Sequence, residues 1–345
     1  MTTVVGQTQA HARETFTLGP FTVPRLWVGL WQLSGNAWGS ASAAKIRQAM
    51  ARHVELGFNA FADHYGSAEI LFGQYRASLS SPTDVLGATK WCVFRPTQLS
   101  REVVEAAVRE RMERMKTTQV DLLQFHWQDY SDKNYLNALQ ILQDLQNEGL
   151  IKTVGLCNFD AIRTDEICTQ LGPGFIVSNQ VPFSVIDTRA LHGMSDVCLR
   201  HNVKLLTYGT LCGGFLADKW LNQPEPDLYS GTLTPSQRKY LDMILKAWGD
   251  WKLFQELLAV LRAIGDRHGG LSIANIATRW VLDHAFVGAV LVGARLGISE
   301  HPGDNAHVYG FRLTDDDNRT IQAVQDRSNS NRMIVTVGDC GAEYR

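Results

Sequence analysis

Eight short apolar runs, each followed by a stretch with helical spacing, constrain the fold of this chain more than any other feature. Apolar runs of strand length without polar alternation are typical of strands buried on both faces of a parallel sheet. Eight strand–helix units in 345 residues predict an α/β fold, a (β/α)8 TIM barrel. The runs are 26–33, 58–62, 85–91, 120–127, 152–159, 175–183, 203–209 and 286–294.

The segments outside the eightfold repeat have their own patterns. Residues 16–24 predict an N-terminal β-hairpin that caps the bottom of the barrel. The long gap after the seventh run predicts a large insertion, with 215–250 as its loop-rich part. Residues 329–345 form a C-terminal tail with no place in the repeat. No low-complexity linker interrupts the chain, so we expect one domain over 1–345.

Helix signals lie between the runs. Periodic apolar positions predict helices over 43–56, 101–115 and 135–149, with Ser100 as an N-cap and Gly149 at a C′ position. The stretch TPSQ, 234–237, has the order of a capping box with proline at the first helical position.

Charge and cysteine usage exclude several classes of protein. The chain has 33 Lys and Arg against 35 Asp and Glu, a net charge of −2. This balance lacks the excess of basic residues that is typical of proteins that bind nucleic acid or an anionic membrane. The six cysteines lack CxxC and zinc-finger spacing, so we expect reduced thiols and no metal site. No secretory signal or membrane-length apolar stretch is present in the sequence, and we expect a cytoplasmic protein.

Ionisable residues gather at the ends of three consecutive runs. Asp63 and Tyr65 follow the second run, and Lys90 and His126 are the penultimate residues of the third and fourth. Barrel active sites lie at the carboxyl ends of the strands, so these groups should converge on one pocket. A lysine beside a tyrosine lowers the pKa of the phenol, which can then donate a proton to a developing alkoxide. Singly, each residue has a structural explanation; together they favour proton-transfer chemistry.

These residues stand in motifs that resemble the aldo-keto reductase family. The motifs occur in the family's order between about residue 25 and 325: DHYGSAE with Tyr65, TKW with Lys90, VDLLQFH with His126, GLCNF at 155–159, SNQ at 178–180, YGTL from Tyr208, and GAR…DN at 293–305.

The resemblance implies NADPH-dependent reduction of an aldehyde or ketone, or the reverse oxidation. Tyr65 would be the general acid, Lys90 its pKa-lowering partner and His126 the group that orients the carbonyl. Asn158 and Gln180 would bind the nicotinamide carboxamide, and Tyr208 would stack on the ring. Cys157 stands where many relatives have serine. The remaining cofactor residues implied by the resemblance are Gly209, Leu211, Gly293, Arg295 and Asn305.

One position departs from the family pattern. Members usually carry an aspartate five residues before the tyrosine, which contacts the lysine; here that position is Ala60. Asp63 matches the family's second, non-catalytic aspartate. Three accounts remain open: Asp63 shifts into the missing role, the enzyme works without it, or carbonyl reduction is lost.

The expected pocket is apolar. Trp31, Trp91 and Trp127 end the first, third and fourth runs and would wall a cavity for a bulky, fairly apolar carbonyl compound. The leading hypothesis is a carbonyl reductase acting on a small molecule, with the oligomeric state open. The alternatives are a regulatory protein that binds a nicotinamide nucleotide, and a non-redox enzyme that uses Tyr65 and His126 for proton transfer.

Overall fold

A computed structural model describes residues 13–35, 38–62 and 66–345. Eight parallel strands close into a barrel in the order β10-β3-β4-β5-β6-β7-β8-β9, and β1 pairs with β2 in an antiparallel hairpin. The TIM-barrel and hairpin predictions are confirmed. The strands are β1 Thr15–Leu18, β2 Phe21–Pro24, β3 Leu26–Gly29, β4 Ala60–Ala62, β5 Leu86–Val93, β6 Val120–Trp127, β7 Ile151–Cys157, β8 Ile176–Pro182, β9 Lys204–Tyr208 and β10 Val287–Gly293.

Helices surround the barrel, and their ends follow the sequence signals. Ser100 accepts a hydrogen bond from the Val103 amide, and Gly149 lies just after α4 with φ +86°. Thr234 and Gln237 form the predicted capping box. The helices are α1 Ala43–Glu55, α2 Ser67–Ala77, α3 Arg101–Arg114, α4 Asn134–Asn147, α5 Ala161–Leu171, α6 Met194–His201, α7 Pro235–Asp242, α8 Trp251–Arg267, α9 Ile273–Leu282, α10 Pro302–Asn305, α11 Asp315–Gln325 and α12 Met333–Thr336.

Strand alternation divides the apolar side chains into two layers. One set faces the barrel interior, including Trp27, Ala60 and Leu122, and the hairpin residue Leu18 packs with it. The other, larger set packs between strands and helices. The hairpin thus covers the amino-terminal end of the barrel, which leaves the carboxyl end for the site.

Two segments add to the eightfold repeat. The stretch between β9 and β10 carries three helices, α7, α8 and α9, of which α7 lies within the predicted insertion. The tail continues past α11 through α12 to Arg345, and Met333 and Cys340 are fully buried. None of the helices in the described ranges is long and apolar enough to cross a membrane.

Replacing Asp317 with asparagine should lower the free energy of unfolding by about 1–2 kcal/mol at pH 7. Asp317 completes a capping box with Thr314 at the start of α11 and accepts hydrogen bonds from His268 (2.8 Å) and Arg267 (2.6 Å). Burial raises the pKa of its carboxyl, but the bonds from His268, Thr314 and Arg267 outweigh this and hold the pKa well below its ordinary value of 3.8.

Because the folded-state pKa is depressed, this stabilisation is complete above pH 3.8 and is lost as the pH falls toward the folded value. Urea unfolding of Asp317→Asn and wild type should therefore converge in strongly acidic buffer. Asp316→Asn, on the exposed side of the same turn, is the matched control. An equal effect of both substitutions at pH 7 would contradict this assignment.

Candidate active site

A cavity of ≈ 660 Å³ opens at the carboxyl end of the barrel. Its size lies within the range of about 300–1,000 Å³ that is common for small-molecule sites. The predicted residues that line it are Trp31, Lys90, His126, Asn158, Gln180, Tyr208, Gly209, Leu211, Gly293, Arg295 and Asn305. The structure therefore brings residues from the first apolar run and from the last of the sequence motifs into one cavity.

Lys90 and His126 reach the cavity from neighbouring strands. In the pairing of β5 with β6, Lys90 stands opposite Gln124 and Cys92 opposite His126, so both titratable side chains occupy inward positions. Both are buried. The Lys90 carbonyl accepts a hydrogen bond of 2.6 Å from Arg111 Nε, which ties this point of β5 to α3.

His126 is held in one orientation by the next strand. Its Nδ1 lies 3.0 Å from the Cys157 carbonyl, an arrangement in which Nδ1 carries the hydrogen. Burial lowers the pKa of the ring below 6.5, aided by the charges of Lys90 and Arg345 and opposed by the backbone of Cys157 and Tyr344. At neutral pH the ring is therefore uncharged, with its lone pair on Nε2. Although the Tyr344 backbone is near, Nε2 has no hydrogen bond of ordinary geometry within the described residues.

Asn158, Gln180 and Tyr208 form a connected group across three strand ends. The backbone N–H of Asn158 donates to the backbone carbonyl of Gln180 at 2.9 Å, and the Tyr208 hydroxyl donates to the side-chain oxygen Oδ1 of Asn158 at 2.8 Å. Cys157, at the position of the family's usual serine, places its thiol 3.7 Å from Gln180 Oε1. Burial raises the pKa of Tyr208 well above 10, so its hydroxyl stays protonated and available as a donor.

The far side of the cavity follows β10. Gly293 ends this strand, and Arg295 pairs with Ser299 in an isolated bridge before α10, which ends at Asn305. Two carboxylates, Glu300 and Asp304, line the cavity at the same side. This end thus holds one guanidinium and two acidic groups, of which Glu300 is paired with Arg52.

Aromatic residues that the sequence reasoning missed join Trp31 at the mouth. Trp38 meets Trp31 edge-on with 4.6 Å between ring centroids, and Phe94 lies 5.4 Å from the His126 ring while 53% exposed. Both line the cavity. Their position after a strand end was the available signal, but neither stands in a recognised motif.

The prediction that Trp91 and Trp127 wall the cavity is corrected by the structure. Lys90 and Cys92 point inward, so Trp91 between them points outward and packs against Phe125 at 5.2 Å. Trp127, which follows the inward His126, donates its indole hydrogen to the carbonyls of Asp129 and Asp132. Both tryptophans belong to the layer between strands and helices.

Two predicted catalytic residues, Asp63 and Tyr65, lie outside the described residues. The chain on either side is described: β4 ends at Ala62 and α2 begins at Ser67. Ala60, at the position of the family's usual aspartate, is fully buried in the interior apolar layer. The departure seen in the sequence therefore places a methyl group inside the barrel.

The tail supplies a further cavity residue. Tyr344 lines the cavity, its ring lies edge-on to Tyr208 at 6.3 Å, and Lys239 Nζ lies 4.5 Å from the centre of the Tyr344 ring and donates to its hydroxyl. Glu343, one residue earlier, pairs with the buried Arg189 at 2.9 Å. No periodicity or motif in 329–345 indicates these contacts.

Comparisons with known proteins agree with this architecture. The aldo-keto reductase YhdN of Bacillus subtilis is 24% identical over 316 residues, covering 88% of this chain and 90% of YhdN. The structure of the glycerol dehydrogenase AKR11B4 from Gluconobacter oxydans matches with a TM-score of 0.73 at 22% identity, covering 92% of this chain and 96% of the other. A Klebsiella pneumoniae aldo/keto reductase in complex with NADP and acetate matches with a TM-score of 0.68 at 17% identity, covering 91% and 96%.

The family model for the aldo/keto reductase family matches residues 25–326, which spans the whole barrel from β3 through β10 and includes α11. The resemblance carried by the short motifs is thus confirmed over most of the chain, and the chain belongs to the aldo/keto reductase family.

Proposed function

We propose that this protein is an NADPH-dependent oxidoreductase that interconverts an aldehyde or ketone and its alcohol, with Tyr65 as the general acid. The observation that carries the proposal is the juxtaposition of Lys90 and His126, both buried and inward-facing on neighbouring strands. They share one cavity with Asn158 and Tyr208, so proton-transfer groups stand beside groups suited to an amide ligand.

The residues present fit a nicotinamide dinucleotide. Within the described part of the chain, the buried atoms Gln32 Oε1, Trp38 Nε1 and His126 Nε2 line the cavity without a hydrogen-bond partner, as expected of a site that takes a polar ligand. Asn158 and Gln180 would bind the carboxamide and Tyr208 would stack on the ring. The phosphates and adenosine would meet Gly209, Leu211, Gly293, Arg295 and Asn305.

When bound, the reduced cofactor supplies the reducing equivalents for the carbonyl carbon. The chain's own residues supply the proton: Tyr65 donates it to the carbonyl oxygen, and the Lys90 ammonium favours the resulting phenolate. Neutral His126, with its hydrogen on Nδ1, offers Nε2 as an acceptor for the hydroxyl of an alcohol. The protonated ring would instead donate to a carbonyl oxygen.

The mouth of the cavity supports a bulky, fairly apolar substrate. Trp31, Trp38 and Phe94 line the cavity with aromatic surface, and Phe94 lies beside His126. Such surface contributes affinity for flat apolar ligands. Glu300 and Asp304 line the part of the cavity that follows β10, together with Arg295. The mouth therefore favours aromatic aldehydes over small charged ones.

A nicotinamide-nucleotide-binding protein without efficient reduction is the second candidate. The observation that favours it is Ala60, which stands five residues before Tyr65, where the family's usual sequence pattern has an aspartate, and which contributes only a fully buried methyl group. This candidate keeps the dinucleotide contacts and loses only the support that a carboxylate gives to the Lys90–Tyr65 pair.

Absorbance at the NADPH band, followed across aldehydes from small aliphatic to bulky aromatic, tests the proposal. Tryptophan fluorescence quenching by NADPH and by NADH measures binding separately, and NADH is included because Glu300 and Asp304 share the Arg295 side. We expect saturable binding and faster turnover with aromatic aldehydes. Binding with no turnover on any aldehyde would select the second candidate, and no binding of either dinucleotide would reject both.

A further inference from the structure

The tail and Asn158 are packed together at the nicotinamide side of the cavity. Gly341 lies so close to Asn158 that a Cβ on it would stand 2.5 Å from Asn158 Cβ and 2.8 Å from its carbonyl oxygen. Gly341 also has φ +75°, a conformation that favours glycine. The tail therefore contacts the backbone of Asn158 as well as its side chain.

Asn158 has an unusual backbone of its own. Its φ is +60°, in the left-handed region that non-glycine residues adopt at a cost, although asparagine does so more easily than most. Such conformations persist where neighbouring contacts hold them. The direction of the Asn158 side chain depends on this backbone conformation. Residues that hold the Asn158 backbone therefore also set the direction of its side-chain amide.

Arg345 makes the strongest of these contacts. Its Nη1 donates to the Asn158 carbonyl at 2.7 Å and to the Cys340 carbonyl at 3.0 Å, which joins strand end and tail through one guanidinium. The guanidinium also stacks over Tyr130 at 4.7 Å, and the Tyr130 hydroxyl donates to the same Asn158 carbonyl at 3.2 Å. With 14% of its side chain exposed, Arg345 is largely protected from competing water.

A buried ion pair fixes the tail that carries Arg345. Arg189, fully buried, donates to both carboxylate oxygens of Glu343 at 2.9 and 3.0 Å and to both oxygens of Asp187 at 2.9 and 2.8 Å. Bidentate pairs of this kind set direction as well as distance. Arg345, two residues after Glu343, is thereby held at a defined place over β7.

We propose that Arg345 is a positioning residue for the nicotinamide end of the cofactor. By holding the Asn158 backbone it sets the direction of the Asn158 amide, whose Oδ1 is already engaged by Tyr208 and whose Nδ2 would donate to the carboxamide. This inference rests on the proposed function, because it requires that a nicotinamide nucleotide binds at Asn158. It assigns to the tail a role in cofactor binding.

The test compares two ligands that differ only at the nicotinamide. NADP+ and 2′-phospho-ADP-ribose, which lacks the nicotinamide ring, are titrated against wild type, Arg345→Met and Arg345→Lys. We expect Arg345→Met to weaken NADP+ binding about tenfold, the effect of losing one charge-assisted hydrogen bond. Binding of 2′-phospho-ADP-ribose should stay within about twofold, because its contacts are distant. Arg345→Lys should recover part of the NADP+ affinity.

Arg332→Met, an exposed arginine on the same tail, is the matched control, and melting temperatures establish that each variant is folded. Equal NADP+ affinity in wild type and Arg345→Met would overturn the inference. So would an equal loss for both ligands, since that would show general damage to the barrel mouth. Failure of wild type to bind NADP+ at all would reject the proposed function itself, and the inference with it.

Discussion

Replacing Tyr65 with phenylalanine should lower the rate of carbonyl reduction by about 10²–10⁴-fold, the usual contribution of a positioned general acid. The substitution removes the one hydroxyl that the proposal assigns to protonation of the carbonyl oxygen. Binding of NADPH, measured by tryptophan fluorescence quenching, should be nearly unchanged because Tyr65 is not assigned to the cofactor. A loss in kcat larger than any change in KM would show that the missing interaction belongs to the transition state.

Tyr344→Phe is the matched control for this result. Tyr344 lines the cavity that holds Lys90, and its hydroxyl accepts a hydrogen bond from Lys239, so Tyr344 and Lys239 form a tyrosine–lysine pair at this cavity. If Tyr344→Phe abolishes reduction while Tyr65→Phe retains it, the assignment of the general acid is wrong. Asp63→Asn, measured beside them, separates the three accounts of the Ala60 departure: a loss as large as that of Tyr65→Phe would place Asp63 in the missing carboxylate's role.

The barrel was predictable because its signals are local and repeated. Each strand buried on both faces needs a continuous apolar run, and each cap needs a particular residue, as at Ser100 and Gly149. Eight repetitions of one unit leave few alternative closures. The residues at the strand ends could be predicted for the same reason, because Lys90 and His126 each lie near the end of an apolar run.

The two wrong predictions for the cavity wall arose because the direction of a side chain matters as well as its position along the strand. Trp91 and Trp127 stand beside Lys90 and His126 in sequence, and adjacent residues of a strand point to opposite faces. Once Lys90 is assigned to the interior, Trp91 must face the helices. This rule was available from the sequence alone, whereas the place of Trp38 in the cavity depends on how its loop packs.

The tail was beyond sequence reasoning for a physical reason. Its contacts join residues far apart in the chain, such as Glu343 with Arg189 and Arg345 with Asn158. No periodicity, cap or spacing in 329–345 encodes them. A buried charged side chain needs a partner of opposite charge. That Arg189 requires a carboxylate therefore becomes evident only once the structure shows that Arg189 is buried.

Replacing Arg189 with methionine should lower the free energy of unfolding by about 3–5 kcal/mol, the usual cost of removing one partner from a buried ion pair. Arg189 and Asp187 are almost fully buried, so the substitution leaves the Asp187 and Glu343 carboxylates without their shared cation. Burial raises the pKa of Glu343, but Arg189 outweighs this and keeps it below its ordinary value of 4.5. The stabilisation is therefore complete above pH 4.5 and is lost as the pH falls toward the folded value.

Urea unfolding at pH 7 measures the effect, and the difference between Arg189→Met and wild type should narrow in acid as Glu343 is protonated. Arg319→Met removes an exposed pair with Asp316 and should cost less than about 1 kcal/mol. Glu343→Gln, which keeps the shape of the side chain but removes its charge, should destabilise less than Arg189→Met because Asp187 still neutralises the guanidinium. Equal unfolding midpoints for Arg189→Met and Arg319→Met would show that the buried pair does not fasten the tail to the barrel.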